Sequence, residues 1–249
     1  EAPAEMLFYL PDLKALCAAE DATHTMHNLY TLRGAKMRDA KAWAHYLNQT
    51  MEMFGEKAEV VFAQHHWPIW GKDRVVDFLE KQRDLYKYMH DQSLYLANQG
   101  YTMLEIGEMI KLPKELSQEW YNRGYYGTLN HNAKSVYCFY LGWFDGNPST
   151  LHQLPPLETG QKMVEYMGGA EAILEKAQRD YDQGNYRWAA QVLNHLVFAE
   201  PSNQKAKDFL ANILEQLGYQ SENGPWRNFY LTGAQELRNG MQKNTLVPG

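Results

Sequence analysis

Cysteine is nearly absent: Cys17 and Cys138 are the only two in 249 residues. That excludes a disulfide framework. Their separation excludes a CxxC redox or metal pair, and the redox compartment stays open. No apolar run approaches the ~20 residues needed to cross a bilayer, so no membrane span is expected. The chain opens EAPAE, without a basic-then-apolar leader, and a start without Met points to a processed or truncated chain. Basic residues are also few, 24 Lys and Arg against 30 Asp and Glu, for a net charge of −6. With no basic stripe to displace phosphate counterions, nucleic acid is excluded as an expected partner.

What is present favours a folded protein. A hydrophobic share of 45% with 13% aromatics supports a sizeable core, and the length suits one large domain or two smaller ones. Residues 1–71 alternate between strand and helix patterns. MLFYLP (Met6–Pro11) and KALCAAE (Lys14–Glu20) read as two strands of a hairpin turning at Asp12–Leu13. Ala40, Trp43, Ala44, Leu47 and Met51 repeat at helical spacing, predicting a helix over about 39–54 closed by Gly55. EVVFAQ then reads as a strand, with His65 and His66 at its C-terminal end and WPIW as a rigid turn leaving the sheet.

Beyond residue 73 the pattern is helical. One segment spans 73–98 and stops at Gly100. Thr102 and Glu105 form a T-x-x-E capping box for a short helix ending before Pro113, and another helix runs 129–144 to the turn DGNP. Residues 170–219 repeat a helix–turn–helix rhythm in which Gly184-Asn185-Tyr186, Ala189, Leu193 and Pro201 fall much as in a tetratricopeptide unit. Too few units are present for a free-standing solenoid, so the region reads as a packing or dimerisation module. A boundary is expected near residues 71–90.

Several residue groups can carry chemistry. Adjacent strand residues point to opposite faces, so at most one of His65 and His66 faces a given site. Glu20 follows the small residues Ala18 and Ala19. Both Glu20 and His65 sit at C-terminal strand ends of one layered unit, where open sheets place ligands. Taken singly, Glu20 reads rather as a strand-end solvent carboxylate and His65 rather as a satisfied histidine than as ligands. HTMHN places His24 and His27 at a spacing that binds zinc on a helix, but no third ligand follows at helical spacing, which favours a hydrogen-bonding loop. Arg33, beside Gly34, is either an oxyanion clamp or a surface arginine. His131 opens a helix after the glycine- and tyrosine-rich loop NRGYYGTLN, as a general acid or simply as a cap.

The strings EAPAEMLFYLP, AAEDATHTMHNLYTLRGAKMRDAKAW and FAQHHWPIWG resemble the zinc-dependent alkylsulfatases of the metallo-β-lactamase superfamily. The resemblance continues through NRGYYGTLNHNAKSVY, the FDGNP turn and the tetratricopeptide-like region, covering about residues 1–240. It implies hydrolysis of alkyl sulfates such as dodecyl sulfate at a site holding two Zn2+ ions. Under it, Glu1 is a ligand of one zinc, with Glu5 as the alternative. Glu20 bridges both zincs, and His65 is the last histidine ligand of the second. Arg33 holds the sulfate, and His131 is a sulfate contact or leaving-group acid. It further implies a homodimer and a periplasmic or secreted location.

The implied fold is α+β: a partial αββα sandwich, the C-terminal half of the catalytic domain, over 1–85, an α-helical dimerisation domain over 86–240, and a tail over 241–249. The family's His-x-His-x-Asp-His motif does not occur in the sequence. Neither does the first half of the sandwich, nor the lipid-carrier-like domain expected after about residue 240. The remaining ligands are expected from the missing N-terminal half of the catalytic domain, supplied by another chain or by a longer polypeptide of which this is a part, and the half-sandwich should expose a core face. A hydrolase of another ester class and a non-catalytic helical fragment remain as alternatives.

Overall fold

The computed structural model describes residues 4–241; Glu1 lies outside them. Two compact units follow one another, Glu1–Asp145 and Gly146–Gly249.

The first unit is built on a four-stranded sheet of order β1-β2-β3-β4. Strands β1 (Phe8–Leu10) and β2 (Ala15–Cys17) form the expected hairpin, shorter than its apolar pattern. Its connection is a 3-10 turn, Pro11–Leu13, closed by Lys14 at φ 46. Strand β3 (Val60–Phe62) lies parallel to β2, with Ala15 opposite Val60 and Cys17 opposite Phe62. The stretch WPIW does not simply leave the sheet. Its last two residues form β4 (Ile69–Trp70), antiparallel to β3 with Val61 opposite Ile69, and buried Ile69 joins the core.

Helix α1 (Ala40–Phe54) connects β2 to β3. Asp39 caps it, its carboxylate accepting from Lys41 and Ala42 N–H at 2.9 and 3.0 Å. Its buried stripe, Ala40, Trp43, Ala44 and Leu47, packs with Leu16 and Val61 of the sheet and with Val75, Phe78, Leu79 and Tyr86 of α2 (Lys72–Asn98). Trp43 and Tyr86 stack with ring centroids 4.5 Å apart. Gly55 follows α1 in right-handed conformation, φ −53, rather than as a left-handed cap.

Helix α2 runs unbroken through residue 85, the limit expected for the catalytic portion. Helix α3 (Met103–Met109) opens on the Thr102–Glu105 capping box, and a short α4 (Lys114–Ser117) follows. Helix α5 (Leu129–Leu141) ends at Gly142 rather than at residue 144. Thr128, not His131, caps it: the threonine hydroxyl accepts from His131 N–H at 2.9 Å.

The second unit holds α6 (Pro156–Met167), α7 (Ala170–Asp182), α8 (Tyr186–Ala199), α9 (Gln204–Gln220) and α10 (Gly224–Asn239). Ile173, Ala177, Ala189, Leu193, Leu196, Leu210 and Ile213 form its core, the helical-spacing positions of the tetratricopeptide-like stretch. Helix α6 packs closely on α8 through Gly160, where a Cβ would stand 2.7 Å from the His195 carbonyl oxygen. Both units together make a mostly helical α+β chain, and no helix of the described residues is long and apolar enough to cross a membrane.

Candidate metal-binding strand end

Past the last paired residues of β2 and β3 the ladder continues by two bonds. Ala18 N–H donates to Phe62 O at 2.8 Å and Gln64 N–H to Ala19 O at 3.2 Å. Each chain then turns in the left-handed region, at Ala19 (φ 48) and at His65 (φ 76). Residues other than glycine rarely adopt this conformation, which costs about 1 kcal/mol. The double turn brings Glu20 to His65 across 45 positions of sequence, His65 Nε2 lying 2.8 Å from Glu20 Oε1. Ala18 and Ala19 are buried where the two turns pass, which is what their small side chains permit.

The second carboxylate oxygen, Oε2, lies 3.3 Å from His27 Nε2. The Glu20 N–H donates to Glu5 Oε1 at 3.0 Å, so Glu5 belongs to the same cluster through the backbone. Burial resists ionisation of Glu20, but hydrogen bonding and charge from His65 and His27 outweigh it and hold the carboxyl below the usual range.

His27 is buried and fixed on several sides. Its N–H donates to the Tyr86 hydroxyl at 3.1 Å, its carbonyl accepts from Asn132 Nδ2 at 2.8 Å, and its Nδ1 lies 3.1 Å from Asn28 O. The glycine-rich loop is laid along this segment: Met26 N–H donates to Arg123 O at 3.0 Å, and Gly127 N–H to Met26 O at 2.6 Å. Residues 24–28 are a loop, so His24 and His27 do not share a helix face. His24 instead stacks on His66 with Trp67, Phe78 and Trp120 around it. Neither of its ring nitrogens has a hydrogen-bond partner among the described residues. Burial, then the neighbouring His66, pushes its pKa down to about 4.

Arg33 is exposed in a turn closed by Gly34 N–H donating to Thr31 O at 3.0 Å, with Gly34 at φ 97. His131 reaches the base of that turn. Its Nε2–H donates to the Tyr30 carbonyl at 2.6 Å, and the two rings stack. Burial holds its pKa below the ordinary range, and this N–H is committed to the backbone.

Glu20 and His65 therefore meet, and His131 of α5 bonds to Tyr30 at the base of the turn that carries Arg33. A carboxylate oxygen beside an imidazole nitrogen is the donor chemistry of zinc, but two such donors do not complete a tetrahedral set. Among the described residues, no group of three or more His, Cys, Asp and Glu is placed to hold a metal ion. The donor types fit zinc, and Glu1, the further ligand that the resemblance implies, lies outside the described residues. His27 as a partner of Glu20 was not foreseen; the only signal was the H-x-x-H spacing.

Residues 102–240 match the family described as alkyl sulfatase dimerisation. The chain is 60% identical over 243 residues to a linear primary-alkylsulfatase from Pseudomonas sp., covering 98% of this chain and 36% of that protein. It is 54% identical over 243 residues to the alkyl/aryl-sulfatase BDS1 of Saccharomyces cerevisiae, covering 98% of this chain and 38% of the relative. The solved structure of the stereoselective inverting sec-alkylsulfatase Pisa1 from Pseudomonas sp. superimposes with a TM-score of 0.96 at 49% identity, covering 97% of this chain and 38% of that one. The chain thus spans little more than a third of the length of these relatives.

Proposed function

Because the chain belongs to the alkyl sulfatase dimerisation family, we propose that it forms part of an enzyme hydrolysing alkyl sulfate esters to an alcohol and inorganic sulfate. The observation that carries this reading is the Glu20–His65 contact at the ends of two parallel strands. On this reading Glu20 and His65, whose side chains meet, would be among the residues that hold zinc, with Glu1 as a further ligand. The bound ions would supply Lewis acidity and a water acidic enough to give hydroxide near neutral pH. The other ligands come from the missing N-terminal half of an αββα catalytic domain. An exposed apolar face supports that: Phe8 and Leu10 on one face of β1, Met6 just before it and Leu13 in its turn are all exposed apolar side chains.

In this chain's share of the chemistry, Arg33 pairs with the sulfate oxygens by charge-assisted hydrogen bonds. His131, with its N–H on Tyr30 O, holds the turn that presents Arg33. Proton donation by His131 to the leaving group would first require that bond to break. Apolar side chains near the site bury the alkyl chain, each methylene adding about 0.8 kcal/mol. The helical region 102–240 pairs two copies, in keeping with the family description.

Sulfate release from dodecyl sulfate by the full-length enzyme, with and without a chelator, tests the reading. Release that chelation abolishes and zinc restores is expected. No release from the zinc-replete enzyme rejects the substrate. A panel of phosphate and thioester substrates with Arg33→Ala separates the alternative ester classes, because loss of the anion clamp should weigh most heavily on sulfate.

A further inference from the structure

We propose that His27 is a positioning residue for Glu20, fixing the direction in which its carboxylate meets the metal ions; this rests on the reading of Glu20 as a zinc ligand. A glutamate with three rotatable bonds does not hold one orientation unaided. Glu20 is gripped at both oxygens, by His65 at 2.8 Å and by His27 at 3.3 Å. The two grips differ in kind. The His65 side chain is 71% exposed, whereas that of His27 is 4% exposed.

The rigidity of His27 comes from three helices and the loop before α5. Tyr86 of α2 receives its N–H, Asn132 of α5 donates to its carbonyl, and the rings of Trp43 and Tyr126 stand 5.4 and 5.0 Å from its own. Gly127 admits the loop against its backbone, since a Cβ there would lie 2.4 Å from the His27 carbonyl oxygen. Packing alone would not require the ring to face a carboxylate. Asn28 O and Glu20 Oε2 are both acceptors, so the two contacts together use an N–H at each ring nitrogen, Nδ1–H anchoring the ring and Nε2–H applied to the ligand. Partners of this kind behind a metal-binding side chain set its orientation, and their loss weakens metal binding about 10–100-fold.

The test uses the full-length enzyme with His27→Phe, which keeps a ring between Trp43 and Tyr126, and His27→Gln, which restores an N–H donor. Zinc affinity is measured by competition with a chelator, alongside Glu20→Gln and thermal melts of each variant. Expected are a zinc affinity about 10–100-fold weaker in His27→Phe, recovery to within a few-fold in His27→Gln, and a larger loss in Glu20→Gln. Parental affinity in folded His27→Phe overturns the proposal, as does an equal loss in the Phe and Gln variants, which would assign the effect to packing. Parental affinity in Glu20→Gln rejects instead the ligand reading beneath it. If His27→Phe does not fold, His27→Gln decides: affinity within a few-fold of the parent supports the proposal, and a larger loss in folded protein overturns it.

Discussion

The imidazole of His24 lies flat against that of His66, with ring centroids 3.8 Å apart and planes within 16° of parallel. Burial pushes both rings toward the neutral form, His24 to about 4. The unfolded chain, with ordinary histidines near 6.5, then binds more protons between those values. Stability from this site is complete above pH ~6.5 and is lost as pH falls toward 4, at about 1.4 kcal/mol per pH unit for His24. His24→Phe keeps the aromatic contacts and removes that titration. Urea unfolding at pH 8, 6 and 5 should show a smaller acid loss in the variant, and identical pH dependence would refute the assignment.

Gly127 is required for close approach rather than for an unusual backbone angle. A methyl group there meets the His27 carbonyl oxygen at 2.4 Å and its carbon at 2.7 Å, both backbone atoms that cannot rotate away. Gly127→Ala should destabilise the first unit by roughly 1–3 kcal/mol, read as a lower melting temperature. A melting temperature equal to the parent's would show that the loop moves aside without cost.

The Tyr86 hydroxyl is the acceptor for His27 N–H in a fully buried setting. Tyr86→Phe leaves the ring stacked on Trp43 but strands that N–H, at a cost of about 1–3 kcal/mol. Denaturant titration should show an earlier midpoint with an unchanged slope.

Arg33 and His131 should separate under kinetics. Arg33 is exposed, so Arg33→Ala leaves stability within about 0.5 kcal/mol of the parent while raising KM for alkyl sulfates in the full-length enzyme. His131→Phe removes the donor to Tyr30 O and loosens the same turn, which predicts a raised KM with a smaller change in kcat. A loss confined to kcat, and growing with the basicity of the leaving group, would instead mark His131 as the acid.

Much of this was legible in the chain, and unevenly. Helix α1 was readable because Ala40, Trp43, Ala44 and Leu47 keep one period and Asp39 caps them; the Thr102–Glu105 box marked α3 in the same local way. Glu20 and His65 could be named from strand-end positions, but their contact depends on the β2–β3 register and on two left-handed turns, which no local pattern encodes. Strand β4 was hidden because two residues after a proline carry a turn signal and pair only through β3. His27 was set aside because a helical H-x-x-H needs a third ligand. Its partners, Tyr86 and Asn132, lie 59 and 105 positions away, so its role arises only from tertiary packing.

The left-handed His65 also constrains attempts to make this protein sturdier. Glycine or asparagine would relax φ 76 at that position, and a stability screen of variants would be drawn to either. On the present reading, each such gain removes the imidazole that faces Glu20. Selection for heat resistance alone should therefore enrich the loss of activity at this one position, and libraries intended to keep turnover need residue 65 held as histidine.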